Sequence, residues 1–136
     1  MRGISITFIM LLLCACSSNL SKTYNISDFN KSYKSYDLNV FWNEKREGEG
    51  VTIEGVVKNV YIGDIKKLEI TARIKHREKK LSEKTFSFFP DVLRPDHILP
   101  FKFSMLIPEI KDYDIDYFYR GYLVTDEIEL IFGSFK

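Results

Sequence analysis

The sequence predicts an all-β fold, a seven-stranded antiparallel sandwich of two sheets, and three observations carry the prediction. Leu68, Ile70, Ala72 and Ile74 alternate with Glu69, Thr71, Arg73 and Lys75, a two-residue period that suits a strand with one buried side. Other short alternating runs recur between residues 38 and 132, separated by connections rich in Gly, Pro or charge. No convincing helical period interrupts them.

In chain order, Arg2 and the free amine precede residues 4–13, which are apolar at eight of ten positions. A spanning helix needs about 20 apolar residues. This run is half that, and Ser17, Ser18 and Asn19 end it, the layout of an export signal. Leu13-Cys14-Ala15-Cys16 at its end resembles the lipobox of bacterial lipoproteins. The resemblance implies cleavage before Cys16, a thioether-linked diacylglyceryl group on that cysteine and usually a third acyl chain on its new amine. Cys14 is a rival for lipidation, but Leu13 would then put a bulky side chain where a small one is needed. Ser17 after the cysteine implies, in a Gram-negative host, onward transport to the outer membrane. The expected division is residues 1–15 as signal peptide, 16–35 as lipidated N-terminus and flexible tether, and 36–136 as the sandwich domain in the cell envelope.

Of the 136 residues, those that remain after cleavage suffice for one domain and are too few for two. Cys14 leaves with the signal and Cys16 is modified, so the mature chain would hold no disulfide. Removing Arg2 from 20 basic residues leaves them balanced against 19 acids, which gives no general attraction to nucleic acid. Residues 17–35 are polar and read as a coil that clears the lipid headgroups. An alternative places Ile26, Phe29 and Tyr33 on one face of a short helix capped by Asn25 or Ser27.

Leu38, Val40 and Trp42 mark the first strand, and residues 44–50 read as an exposed turn. Residues 51–60 form the second, with Gly55 signalling a bulge or a close backbone crossing. Residues 65–76 are the third, residues 77–84 a solvated charged connection, and residues 85–89 a short fourth strand. Between Pro90 and Pro100, three prolines deny the chain a regular ladder, so it crosses from one sheet to the other. Phe101, Phe103, Met105 and Ile107 alternate in the fifth strand and Tyr113, Ile115, Tyr117 and Tyr119 in the sixth, which Gly121 breaks. Residues 128–132 make the last.

The stretch from Val51 to Asn59 with its Gly55-x-Val57-x-Asn59 spacing, the 68–74 strand and Leu99-Pro100-Phe101-Lys102-Phe103 resemble the immunoglobulin-like modules of bacterial lipoproteins called FxLYD domains, which are similar to fibronectin type III sandwiches. Residues 77–83 depart from that pattern, where a Gly-containing turn is usual. Pro108 followed by Tyr113 resembles the approach to a tyrosine corner. The resemblance implies a fold and no defined activity.

Residues 66–84 carry eight basic groups against three acids, and residues 109–129 carry seven acids against two. In an immunoglobulin-like sandwich the third and sixth strands are antiparallel neighbours, which sets Arg73, Lys75 and Arg77 against Asp112, Asp114 and Asp116. If the register differs, these charges form separate patches suited to a protein partner. Phe118 and Tyr122 are the candidate aromatic contacts beside them. Asp112, Asp114 and Asp116 also have the spacing of calcium ligands, but the positions where an EF-hand needs Gly and Glu hold Tyr117 and Leu123. His76 and His97 lack cysteine partners for a zinc site, and no nucleophile elbow, phosphate loop or metalloprotease helix occurs. The expected function is therefore that of a lipid-anchored, non-enzymatic module that needs no cofactor and binds a protein or supports an envelope assembly. Two alternatives stand beside it: an inhibitor or immunity protein acting through the Pro90 to Pro100 loop, and a carrier of a small ligand or calcium.

Overall fold

The computed structural model describes residues 23–107, 109 and 112–136. Cys16 and its flanking Leu13, Cys14 and Ala15 lie outside them, as does Pro108. The strands are β1 (Lys31–Lys34), β2 (Leu38–Glu47), β3 (Gly50–Asn59), β4 (Asp64–His76), β5 (Lys79–Ser87), β6 (Val92–Leu93), β7 (Ile98–Leu106), β8 (Asp114–Val124) and β9 (Ile128–Phe135). One sheet has the order β1-β2-β3-β7, the other β5-β4-β8-β9 with β6 beside β4, and all pairs are antiparallel.

Alternation dictates which side of each strand faces the partner sheet. Val40, Trp42, Ile53, Val57, Ile70, Ile74, Tyr117 and Tyr119 are buried in one core between the sheets. Aromatic side chains fill its two flanks. On one, Phe135 stacks on Tyr117 at 5.2 Å and on Tyr33 at 4.9 Å and meets Trp42 edge-on at 5.0 Å. On the other, Phe86, Phe88, Phe101 and Phe103 pack with centroids 5.1–6.3 Å apart. Offset and edge-on pairs of this kind add to the burial of the rings themselves. The flanks thereby close a sandwich whose sheets share no strand.

Among the described residues, nine strands replace the seven expected because two short strands are added, and the expected fourth strand starts earlier than residue 85. Lys31–Lys34 pairs with β2, so the domain takes in chain that composition assigned to the tether, and Tyr33 belongs to this strand and to no helix. Upstream, a single 3-10 turn at Ile26–Asp28 is capped by the Asn25 side chain. Asn43 pins this segment to the outer side of the first sheet by accepting from Asn30 N–H and donating to the Asp28 carbonyl, each at 2.8 Å. Residues 77–84 are not a loop: Arg77 and Glu78 alone turn the chain, both with positive φ, and Lys79 onward pairs with β4. Val92 and Leu93 add a two-residue strand inside the Pro90 to Pro100 crossing.

Gly121 does not end its strand, because β8 runs unbroken through it. It stands against the irregularity in β4 between Lys66 and Glu69, where a Cβ would come within 3.3 Å of the Lys66 carbonyl. Gly55 pairs with Trp42 on one side and Phe101 on the other, and its missing side chain lets those two large residues share the space.

Candidate functional site on the outer face of the second sheet

The inward set of β8 fixes its outward set as Asp114, Asp116, Phe118, Arg120 and Tyr122, since neighbours point to opposite faces. Register then brings Glu69, Thr71, Arg73 and Lys75 of β4 alongside on one flank and Ser134, Phe132, Leu130 and Ile128 of β9 on the other. The face divides by chemistry. Its β4–β5 side is a charged ladder and its β8–β9 side is apolar.

Cross-strand pairs hold the ladder in place. Arg73 donates from Nε to Glu83 at 2.7 Å while its guanidinium sits 4.4 Å from the Phe118 ring centre. Lys75 reaches Asp116 at 2.5 Å, and Arg120 donates to Glu69 at 2.6 Å. Ser87 adds a hydrogen bond to Glu69, and Thr71 bonds Thr85 at 2.8 Å. The hydrogen bond from Arg73 pulls the Glu83 carboxyl below its ordinary value, and the one to Asp116 raises Lys75. Exposed pairs of this kind contribute about 0.2–1 kcal/mol each, so the ladder's main effect is to fix register.

Beside it, Tyr122, Leu130, Phe132 and Ile128 leave 43, 53, 75 and 74% of their surface exposed. A shallow cavity of about 390 Å³ opens here, with Tyr122, Leu130 and Phe132 as its apolar wall and Lys67, Glu69 and Arg120 as its polar one. Apolar side chains standing together in solvent next to ordered charges suit protein contact.

Four of the five expected contact residues, Arg73, Lys75, Phe118 and Tyr122, therefore share one face, and Arg77 departs from it into the β4–β5 turn. Arg73 and Lys75 do stand opposite Asp116 and Asp114 in the register, yet Arg73 engages Glu83 and Lys75 engages the diagonal Asp116. Asp112 lies outside the strand, where its carbonyl accepts from His76 Nδ1 at 2.6 Å. Asp112, Asp114 and Asp116 do not converge, and no cluster of three potential metal ligands occurs among the described residues. Leu130, Phe132 and Ile128 were legible as a strand, but nothing in their alternation says which of its two sides meets the core.

The remaining polar clusters serve the fold. Glu44 accepts from the Tyr117 phenol at 2.6 Å and from Lys31 at 2.7 Å, and buried Asp37 accepts from Leu38 N–H, the Ser35 hydroxyl and the Tyr119 phenol. Burial, foremost, raises both tyrosines above their ordinary range, so they stay neutral donors. Tyr113 instead lies under Arg46, 5.4 Å away. The crossing between Pro90 and Pro100 is tied down by Asn59, whose amide donates to the Leu93 carbonyl and whose backbone bonds Asp96 and His97. Phe89, just before it, is 95% exposed. A second cavity, of about 610 Å³, lies on the outer side of the first sheet between Phe29, Asn43, Glu54 and Lys102.

No family model and no curated protein matches the chain. Among solved structures, a protein from Archaeoglobus fulgidus is similar at 11% identity and a TM-score of 0.43, over 76% of this chain and 92% of that one. A "putative beta-galactosidase" from Bacteroides fragilis is similar at 18% identity and a TM-score of 0.34, over 70% of this chain and 15% of that one. Neither likeness assigns an activity, and the site stands on its own geometry.

Proposed function

We propose that the chain is a membrane-anchored lipoprotein whose immunoglobulin-like domain performs no catalysis and binds another protein through the outer face of its second sheet. The observation that carries the reading is the exposed group Tyr122, Ile128, Leu130 and Phe132 beside an ordered charged ladder. The immunoglobulin-like part rests on strand order. Without β1, the sheets read β2-β3-β7 and β5-β4-β8-β9, with β5 in the place of the extra strand that joins the three-stranded sheet in variable-type domains. The anchor rests on the lipobox resemblance at Leu13, Cys14, Ala15 and Cys16. Two or three acyl chains hold a protein persistently where one holds it marginally. With Ser17 after the cysteine, a Gram-negative cell would carry it to the outer membrane.

Photo-crosslinking in intact envelopes tests the reading. A crosslinker placed at Tyr122 should yield a discrete protein adduct, and the same probe at Lys45 on the first sheet should not. Equal diffuse labelling from both positions would sink the proposal. A second reading, an inhibitor, draws on Phe89, which projects into solvent from a loop that Asn59 pins. An adduct from Phe89 alone would favour it.

A further inference from the structure

Among the described residues, three of the four open sheet edges are guarded. β1 is four residues long and carries Lys31 and Lys34, β7 carries Pro100 and Lys102, and β5 carries Lys79, Lys80, Glu83 and Lys84. Shortness, proline and charge are the devices that keep a sheet edge from pairing with a foreign strand. β9 has eight residues, no proline and, from Ile128 to Phe135, the single charge of Glu129. Its outward row is Ile128, Leu130 and Phe132. This edge offers main-chain donors and acceptors next to an apolar row, the combination that strand addition uses.

We infer that β9 pairs with β9 of a second copy, antiparallel about a two-fold axis at Leu130, so that the two second sheets become one. The choice of occupant follows from self-complementarity. In this register Leu130 meets Leu130 and Ile128 meets Phe132 of the second copy, apolar against apolar at all three outward positions. An axis at Phe132 would set Leu130 against Ser134 and Ile128 against Lys136. Glu129 points to the other face and stands opposite Ile131. The formal net charge of +1 leaves little repulsion between copies. A two-fold join of this kind closes on itself and forms no fibre. Five paired residues make less than a standard interface, so the dimer depends on concentration. The inference deepens the protein-binding reading by naming the partner, and it rests on that reading's apolar face.

Cysteine crosslinking of the full chain under mild oxidation decides it, with the wild type as baseline for Cys14 and Cys16. Cysteines at the axis stand about 5 Å apart, within reach of a disulfide. Those two residues off it are about 14 Å from their mates. Leu130→Cys should therefore give at least about tenfold more homodimer than Phe132→Cys or Lys80→Cys, the last on a guarded edge. Homodimer no more abundant from Leu130→Cys than from Lys80→Cys overturns the inference. If the homodimer is absent while the photo-crosslinker at Tyr122 still captures a different protein, the second copy is excluded and the protein-binding reading stands; with neither product, both fall. Sedimentation gives an independent check: Leu130→Lys, at an exposed position, should lose the wild type's dimer while keeping the melting temperature that the wild type has when dilute enough to be monomeric. A wild type that is monomeric at every concentration overturns the inference as well.

Discussion

Asn59 spends its whole carboxamide on backbone. Fully buried at the end of β3, it donates to the Gly63 and Leu93 carbonyls at 2.7 and 2.9 Å and accepts from Tyr61 N–H at 2.9 Å. One side chain thus ties the β3–β4 loop to β6. Asn59→Ala leaves two buried carbonyls and one half-buried N–H without their partner and is expected to lower stability by roughly 3 kcal/mol in urea unfolding. A loss below about 0.5 kcal/mol, the size of an ordinary surface change, would mean that water replaces the bonds at no cost. At Gly55 the constraint is space. A Cβ there would lie 2.3 Å from the Phe41 carbonyl and 2.8 Å from Trp42 Cβ, and neither backbone nor Cβ can swing aside. Gly55→Ala should cost about 1–3 kcal/mol, read as a lower denaturation midpoint, whereas Gly48→Ala, in open space, costs only the strain of its positive φ. The Gly-x-Val-x-Asn spacing was visible in the sequence, but one partner that gives it meaning, the Leu93 carbonyl, comes from 34 residues away.

β4 and β5 show how composition misleads. Charge marks loops because loops meet water, and it marks edge strands for the same reason, so residues 77–84 fitted both descriptions. Thr71, Arg73 and Lys75 face outward with them, which turned the charged run into the second rail of the ladder. The Arg73–Glu83 pair makes this hairpin sensitive to acid. Arg73 holds the Glu83 carboxyl below its ordinary value, so the carboxylate favours folding above the unfolded pKa of about 4.3, and that contribution fades as pH falls through the lower folded value. The stability gap between wild type and Glu83→Gln should therefore shrink as pH is lowered from about 7 to about 3, measured by thermal melts along the series. A constant gap would show that the pair contributes through packing alone. β9 behaves in the opposite way. Its outward side chains stand largely in solvent, Leu130 53% and Phe132 75% exposed, so Leu130→Lys with Phe132→Lys should leave stability within about 0.5 kcal/mol of wild type at concentrations where the wild type is monomeric. A larger loss would place those residues in a contact internal to the protomer.

For the whole molecule, the proposed anchor and the folded domain answer to different physics. Anchoring is a matter of acyl chains, about 0.8 kcal/mol per buried methylene, and needs nothing from the sandwich. Cys16→Ser should shift the protein from the membrane fraction to the soluble one while its melting temperature stays unchanged, and Cys14→Ser should leave it membrane-bound. Retention of the Cys16→Ser protein would overturn lipidation at that cysteine. The domain in turn is closed by its aromatic flanks, where Tyr33, Trp42, Tyr117 and Phe135 join β1, β2, β8 and β9 across the two sheets.

Alternation alone determined that this chain is all-β, that β2, β3, β4, β7 and β8 exist and which of their residues go inward, because a two-residue period is a local property of the strand. It also determined that β4 and β8 carry opposite charges. Tertiary structure decided the rest. It drew Lys31–Lys34 out of the tether, turned residues 79–84 into an edge, let β8 continue through Gly121 and left Ile128, Leu130 and Phe132 in water. Each of those outcomes depends on what lies opposite a residue across a sheet, and that partner is set by pairing between segments tens of residues apart.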